Sequence, residues 1–407
     1  MNILLITDAY PPMHTSGAVM MSDLADELVN QGHQVSVVVP LTSLKNSVAL
    51  KNHEGIKIFC VRVLSTKDVH FVFRAFAEWL NPYLIWFHLS RFTPFTQNSF
   101  DGLAWYSPSI FWSPFIKRAK TFFNCPSYLI LRDIFPDWAL DLGVIKPGLQ
   151  YRFLKGVQGR QYEEANRIGV QSPNNLSIFI REYPHLEYCC EVLWNWGSPQ
   201  TEQKKSVCSI DLTNSSLAGR TLFLYAGNMG LAQGIDVVLN IAKAIVDRSD
   251  IGFVLVGRGS ELLRLRDRVK NEKLGNVEIY DEIPSAEMQD LYTQCHVGIV
   301  SLDLRHTTHN IPGKFVSYMQ AGMPVLAIVN SQNDLLEFIK TYQLGVAFNT
   351  HSQQEILAGL DQLLVVSKNS AEFKQRCKAF YEQYFSVVHA AKQIESGLYL
   401  AKQKDKY

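Results

Sequence analysis

The stretch His306-Thr-Thr-His-Asn-Ile-Pro-Gly-Lys-Phe-Val-Ser-Tyr-Met-Gln-Ala-Gly-Met-Pro324 gathers polar and cationic groups where a strand-like run gives way to a helix-like one. The apolar run Val297 to Leu302 precedes it, and the pattern Lys314 to Gln320 suits a short helix that Gly322 stops. Pro312 and Gly313 stand where that helix begins, so free N–H groups and the positive end of the helix dipole lie beside Lys314. The chemistry such a loop offers is the binding of an anion, a phosphate above all. The competing reading is an ordinary strand–loop–helix joint with solvated histidines. A cation at a helix N-terminus is disfavoured unless an anion offsets it, which favours a role for Lys314. His306 and His309 are three apart, a spacing that suits zinc, but no third ligand is near, and no metal is expected.

A second set of candidates lies in the first half. Arg132 and Asp133 follow the apolar run Ser127 to Leu131, and polar residues at the carboxyl ends of parallel strands line the binding crevice of an open sheet. Gly17 opens a helix, where its missing side chain admits either a ligand or a tight turn. His14 sits in the loop before it, and with Asp133 it is a candidate for positioning an acceptor hydroxyl.

These groups need a scaffold. At 407 residues the chain exceeds one core, and two domains are expected. Asn2 to Ile6, a helix over Ala18 to Gln31 and Val35 to Val39 form a βαβ unit, hence a parallel sheet. The same alternation restarts at Thr221 to Ala226, followed by the glycine-rich turn Gly227 to Gly234 and later by Gly257-Arg-Gly. The fold class is therefore α/β, with two doubly wound, Rossmann-like parallel-sheet domains facing a cleft. The expected boundaries are a first domain over 1–193, a linker over 194–206, a second domain over 207–371 and a helical segment over 372–407.

A formal charge of +1 argues against a nucleic-acid binder. The first residues lack a basic region before their short apolar run, and no stretch reaches the length of a membrane span, so neither a signal peptide nor a span is expected. Seven cysteines without metal-type spacing suggest reduced thiols in a cytoplasmic protein, with Cys189 and Cys190 on opposite faces of one strand. Two segments, His70 to Phe95 and Ile110 to Lys120, mix aromatic rings with cations, as suits the headgroup layer of a membrane; packing in the core or between domains is the alternative.

Gly17, Gly32-His33, the turn Gly227 to Gly234, Gly257-Arg-Gly-Ser-Glu-Leu and Ala321-Gly-Met-Pro-Val resemble, in order and spacing, the retaining glycosyltransferases of the GT-B fold, family four. The phrases Trp105-Tyr-Ser-Pro-Ser-Ile-Phe-Trp, Leu129-Ile-Leu-Arg-Asp-Ile-Phe-Pro, Val170-Gln-Ser-Pro-Asn-Asn-Leu and Val192-Leu-Trp-Asn-Trp resemble the bacterial surface-polysaccharide enzymes known as N-acetyl-L-fucosamine transferases. The resemblance implies a UDP-sugar donor as co-substrate and no cofactor or metal. It implies an undecaprenyl-diphosphate-linked sugar acceptor, a peripheral place on the cytoplasmic face of the inner membrane, and a last helix that crosses back to the first domain. It also implies that the leaving phosphate takes the acceptor's proton, with no protein nucleophile.

Where the family carries Arg and Lys in the diphosphate turn, this chain has Asn228 and Gln233; where it carries two glutamates, this chain has His309 and Ser317. Another cation must then meet the leaving diphosphate. Lys314 is the expected one, with Arg132 reaching in and Arg258 and Arg305 as weaker candidates. Gly227, Gly257, Ile283, Pro312, Gly313 and Gly17 complete the expected donor side, and His14 and Ser107 the acceptor side. Two rival readings are a UDP-sugar 2-epimerase and a non-catalytic nucleotide-sugar binder.

Overall fold

The computed structural model describes residues 1–13, 15–66, 69–141, 145–197, 207–305, 311–367 and 370–404. His14, His306, His309 and most of the expected linker lie outside them. The chain divides into two compact units, Met1–Ser198 with Val387–Tyr407, and Pro199–Ser386.

The first unit is built on eight strands: β1 (Asn2–Ile6), β2 (Gln34–Leu41), β3 (Val48–His53), β4 (Ile56–Arg62), β5 (Gly102–Ser107), β6 (Ser127–Leu131), β7 (Arg167–Val170) and β8 (Cys190–Val192). Their order is β3-β4-β2-β1-β5-β6-β7-β8, parallel throughout except for the β3–β4 hairpin at one edge. Alternate residues feed two cores. Leu4, Ile6, Trp105 and Leu129 face one, and Ile3, Leu5, Ala104 and Tyr128 the other. This two-sided burial is why β1 reads as an unbroken apolar run.

The hairpin was not foreseen, and its sequence explains why. Four of the six β3 residues are exposed, and β3 lacks the apolar alternation that marks a strand. Cys189 closes a short 3-10 turn while Cys190 begins β8, so the two do not share a strand as expected. All seven cysteines are free.

The second unit holds six parallel strands, β9 (Thr221–Ala226), β10 (Ile251–Gly257), β11 (Val277–Asp281), β12 (Val297–Ser301), β13 (Val325–Ile328) and β14 (Gly345–Phe348), in the order β11-β10-β9-β12-β13-β14. The chain leaves β9 toward β10 and β11, then returns to the other side of β9 for β12. That reversal makes the carboxyl ends of β9 and β12 the topological switch point, where such sheets bind ligands.

The expected terminal segment 372–407 is two helices with different allegiances. The helix Ser370–Tyr384 packs within the second unit, where Phe380 meets Phe315 at 6.2 Å. The helix Val387–Lys404 completes the first unit: Ile394 and Leu398 join its core, and Gln393 donates to the Val192 carbonyl at 2.8 Å. Trp196, placed by sequence in the linker, is also first-unit core and donates to the Met20 carbonyl at 2.8 Å.

The two aromatic segments also part ways. Phe111, Trp112, Phe115 and Ile116 of the second segment are buried core residues, contrary to the membrane-surface expectation. The helix Phe71–Leu89, by contrast, leaves Phe73, Phe76, Trp79 and Phe87 at 44%, 50%, 44% and 49% exposure. No helix of the described residues is long and apolar enough to cross a membrane.

Candidate functional site

The switch point of the second unit is held open by one side chain. β9 and β12 pair only at Val297–Phe223 and Gly298–Leu224, then diverge. The Tyr318 hydroxyl fills the gap, donating to the Leu224 carbonyl at 2.9 Å and accepting from the Ala226 N–H at 3.0 Å. Two backbone groups that would otherwise be orphaned in the interior are thereby satisfied. Gly298 provides the room, since a side chain there would collide with the Tyr318 ring.

Tyr318 belongs to the helix Gly313–Ala321, capped by Pro312 at the start and by left-handed Gly322 at the end. Phe315, Val316 and Met319 anchor it in the interior. Lys314 is four residues before Tyr318, one turn nearer the N-terminus on the same face. Its Nζ donates to the Tyr225 hydroxyl at 3.0 Å and lies 4.4 Å from the centre of that ring. Tyr225 in turn donates to the Asn228 carbonyl at 2.5 Å. Burial lowers the Lys314 pKa to about 8, and among the described residues no carboxylate offsets the loss of water. The first turn of the helix contains no acidic residue either. A half-buried ammonium with a hydroxyl and an aromatic face for company, beside the free N–H groups of a helix start, is arranged to take up an anion.

The glycine turns form the floor. The turn after β9 runs alongside the one after β10, joined by Gly227 N–H to the Val256 carbonyl at 2.9 Å, Met229 N–H to the Arg258 carbonyl at 2.6 Å and Glu261 N–H to the Met229 carbonyl at 3.0 Å. A Cβ on Gly257 would strike the Gly227 carbonyl oxygen, and one on Gly259 the Met229 carbonyl. The Lys314 side chain passes over Gly227, with its Cε 3.7 Å from where a Cβ would stand.

The other donor-side candidates fall around this core. Asn228 and Gln233, at the positions where a cation pair is usual in the resembled family, bond to one another at 3.2 Å, and Gln233 also accepts from the Gly230 N–H at 3.0 Å. They brace the turn. Ser317 donates weakly to the Gly313 carbonyl at 3.4 Å, and Ile283 lies just beyond β11. Arg258 pairs with Glu282 at 3.1 Å, and Arg305 with Asp303 through contacts of 2.9 and 2.6 Å, so both charges are balanced locally.

In the first unit, the switch point lies between β1 and β5, and several candidates meet at its carboxyl edge. Tyr106 leans on Gly17, occupying the space a side chain there would need at 3.0 Å; the gap expected to admit a ligand is filled by that ring. Ser107 is buried, accepting from Gln161 at 2.8 Å and donating to the Ser109 carbonyl at 3.2 Å. Arg132 is 3% exposed; its guanidinium donates to the Leu131 and Trp194 carbonyls, each at 3.2 Å, and lies 5.3 Å from the Trp196 ring. Burial lowers its pKa to about 10. Its bonds tie the end of β6 to the chain at Trp194. Asp133 follows it, half-buried.

Sequence reasoning missed Tyr225 and Tyr318. The two tyrosines sit in apolar runs and read as core. Among the described residues, no group of three His, Cys, Asp or Glu side chains gathers as metal ligands.

Residues 213–380 match the family described as Glycosyl transferases group 1. Among curated proteins, the chain is 22% identical over 228 residues to the probable glycosyltransferase WbjE of Pseudomonas aeruginosa, covering 54% of this chain and 55% of that protein. It is 22% identical over 281 residues to the putative colanic acid biosynthesis glycosyl transferase WcaI of Escherichia coli K12, covering 65% and 66%. The chain thus spans between half and two thirds of each relative's length. The structure is similar to that described as trehalose-6-phosphate from E. coli bound with UDP-2-fluoro glucose, with a TM-score of 0.68 and 11% identity over 98% of this chain and 99% of that one. That likeness establishes the fold, the two-domain α/β architecture called GT-B.

Proposed function

We propose that this protein is a glycosyltransferase of bacterial surface-polysaccharide synthesis, moving a sugar from a UDP-sugar to an undecaprenyl-diphosphate-linked acceptor. The observation that carries the reading is Lys314, held over the paired glycine turns at the switch point of the second unit with no carboxylate among the described residues to neutralise it. Breaking a sugar–phosphate bond develops charge on the departing diphosphate, and pre-placed donors in a site of low dielectric stabilise it there. Lys314 and the first N–H groups of its helix are the donors. The match of residues 213–380 to glycosyl transferases group 1 supports the same reaction class, and the printed names of the two curated relatives support the pathway class.

Finer features are part of the proposal. The donor sugar is N-acetyl-L-fucosamine or a related amino sugar, transferred with retention and without a metal; the sequence phrases quoted above support the sugar. Ser317, where a glutamate is usual, leaves a shorter and uncharged group at a position the resembled family uses to hold the donor. Attachment to the inner-membrane surface is supported by the helix Phe71–Leu89. Phe73, Phe76, Trp79, Tyr83 and Phe87 recur at helical spacing, with Arg91 3.8 Å over the Phe87 ring and Arg118 5.0 Å over that of Tyr83.

The decisive measurement is a panel of UDP-sugars incubated with a lipid-diphosphate-linked GlcNAc acceptor, following UDP release and labelled lipid. Transfer from UDP-N-acetyl-L-fucosamine is the expected result. Isomerised donor with no labelled lipid would instead identify a 2-epimerase, and binding without turnover a nucleotide-sugar sensor.

A further inference from the structure

One buried hydroxyl ties the cation of the anion site to its floor. Tyr225 enters the interior from β9, in the same core as Phe223, and is fully buried. Phe223 shows what packing asks of that side of the strand: its ring lies 5.7 Å from that of Phe253, with no polar group involved. A phenylalanine at 225 would fill the core equally, so packing does not explain the hydroxyl, and a hydroxyl buried without partners destabilises a fold. Both of its partners belong to the site. It accepts from Lys314 Nζ at 3.0 Å and donates to the Asn228 carbonyl at 2.5 Å, while its ring centre lies 4.4 Å from the same ammonium.

The bond to Asn228 fixes the floor. The peptide that joins Asn228 to Met229 is held at both ends, its carbonyl by Tyr225 and its N–H by the Arg258 carbonyl at 2.6 Å. The bond from Lys314 fixes the cation. A lysine has a flexible stem and an ammonium drawn to water, so it leaves a half-buried position unless something holds it. Among the described residues the Tyr225 hydroxyl is the hydrogen-bond partner of Nζ, and the stem is led to it across Gly227, where a Cβ would stand 3.7 Å from Cε. β9, the turn and the helix Gly313–Ala321 all lie in the second unit.

We infer that Tyr225 is the positioning residue of this site: its hydroxyl and ring set the Lys314 ammonium over the glycine turn, and thereby set the affinity for the diphosphate of a nucleotide. The inference rests on the reading of the site as one for a UDP-sugar. Tyr225 acts through Lys314 and need not touch the ligand. It stays a neutral phenol, since burial raises its pKa, so it offers Lys314 a lone pair rather than a charge. An ammonium held that way keeps its charge for the phosphate oxygens, whereas a carboxylate in the same place would neutralise it.

The test is a double-mutant cycle of Tyr225→Phe and Lys314→Met, read as UDP affinity by calorimetry on the full chain at pH 7. Tyr225→Phe alone keeps the ring and should weaken UDP binding on the order of tenfold, the loss of one hydrogen bond to a charged group. In the Lys314→Met background the same change should alter affinity by less than about twofold, because the group it acts through is gone. Melting temperatures recorded alongside report that each variant is folded. A tyrosine that merely braced the turn would weaken UDP binding equally in both backgrounds. That outcome, or wild-type affinity in Tyr225→Phe, would overturn the inference while leaving the donor site standing. Wild-type protein that binds no UDP would overturn the donor reading as well.

Discussion

Replacing Lys314 with methionine should make the protein more stable and nearly inactive at once. The lysine pKa falls from 10.5 to about 8, and burial is the whole of the cause. At neutral pH that difference corresponds to ~3 kcal/mol of destabilisation carried by the ammonium. The sign follows from which state holds the proton more tightly, here the unfolded one. The penalty is complete below about pH 8 and fades as pH rises from there toward 10.5. Methionine keeps most of the apolar stem, and loss of the 3.0 Å bond to Tyr225 takes back part of the gain, leaving about 1–3 kcal/mol. For a unit of this size that is a rise of about 2–10 °C in Tm. Turnover should drop at least about a hundredfold, as when other charge-stabilising donors are removed. Differential scanning fluorimetry at pH 7 and 9.5, with and without UDP, reads all of this. The stability gap should narrow at the higher pH, and UDP should stabilise wild type much more than the variant. A variant less stable than wild type at pH 7, or one with unchanged turnover, would refute the view of Lys314 as a strained cation awaiting a diphosphate.

Gly257→Ala places a methyl group against the Gly227 carbonyl and must spread the two turns. It should abolish UDP binding in calorimetry and lower stability by about 2–4 kcal/mol, and near-normal UDP affinity would contradict the packing described. Phe76→Ser combined with Trp79→Ser removes two half-exposed rings from the helix Phe71–Leu89 and should sharply reduce sedimentation with anionic liposomes while leaving soluble UDP binding untouched. Equal lipid binding by the variant would remove that face from consideration.

The alternation of strands and helices was legible because parallel strands buried on both faces read as apolar runs. Asn2–Ile6 and Thr221–Ala226 have the same bounds in sequence and structure. The hairpin Val48–Arg62 was not legible because an edge strand facing solvent loses that signature. The start of the helix Gly313–Ala321 was legible through Pro312 and Gly313, whose local chemistry marks it. Tyr225 and Tyr318 were invisible for the opposite reason. Each looks like core until the structure shows its hydroxyl on Lys314 or in the gap between two diverging strands. The direction of Arg132 was not legible, because position at a strand end says nothing about which way a side chain turns, and this one turns inward to the Trp194 carbonyl. The aromatic segments show the same limit. Ile110 to Lys120 has a membrane-like composition, yet its rings are spent on the core.

The first unit is written in two separate passages, and its second passage comes last. Until the helix Val387–Lys404 arrives, one face of the sheet around Gly102 and Tyr128 lacks its cover, because Leu398 packs at Gly102 and Gly397 against Tyr128. During synthesis the ribosome delivers the entire second unit before that cover, so the unit that starts first finishes second. For as long as translation takes to reach residue 398, an apolar sheet face waits uncovered, a natural client for a chaperone.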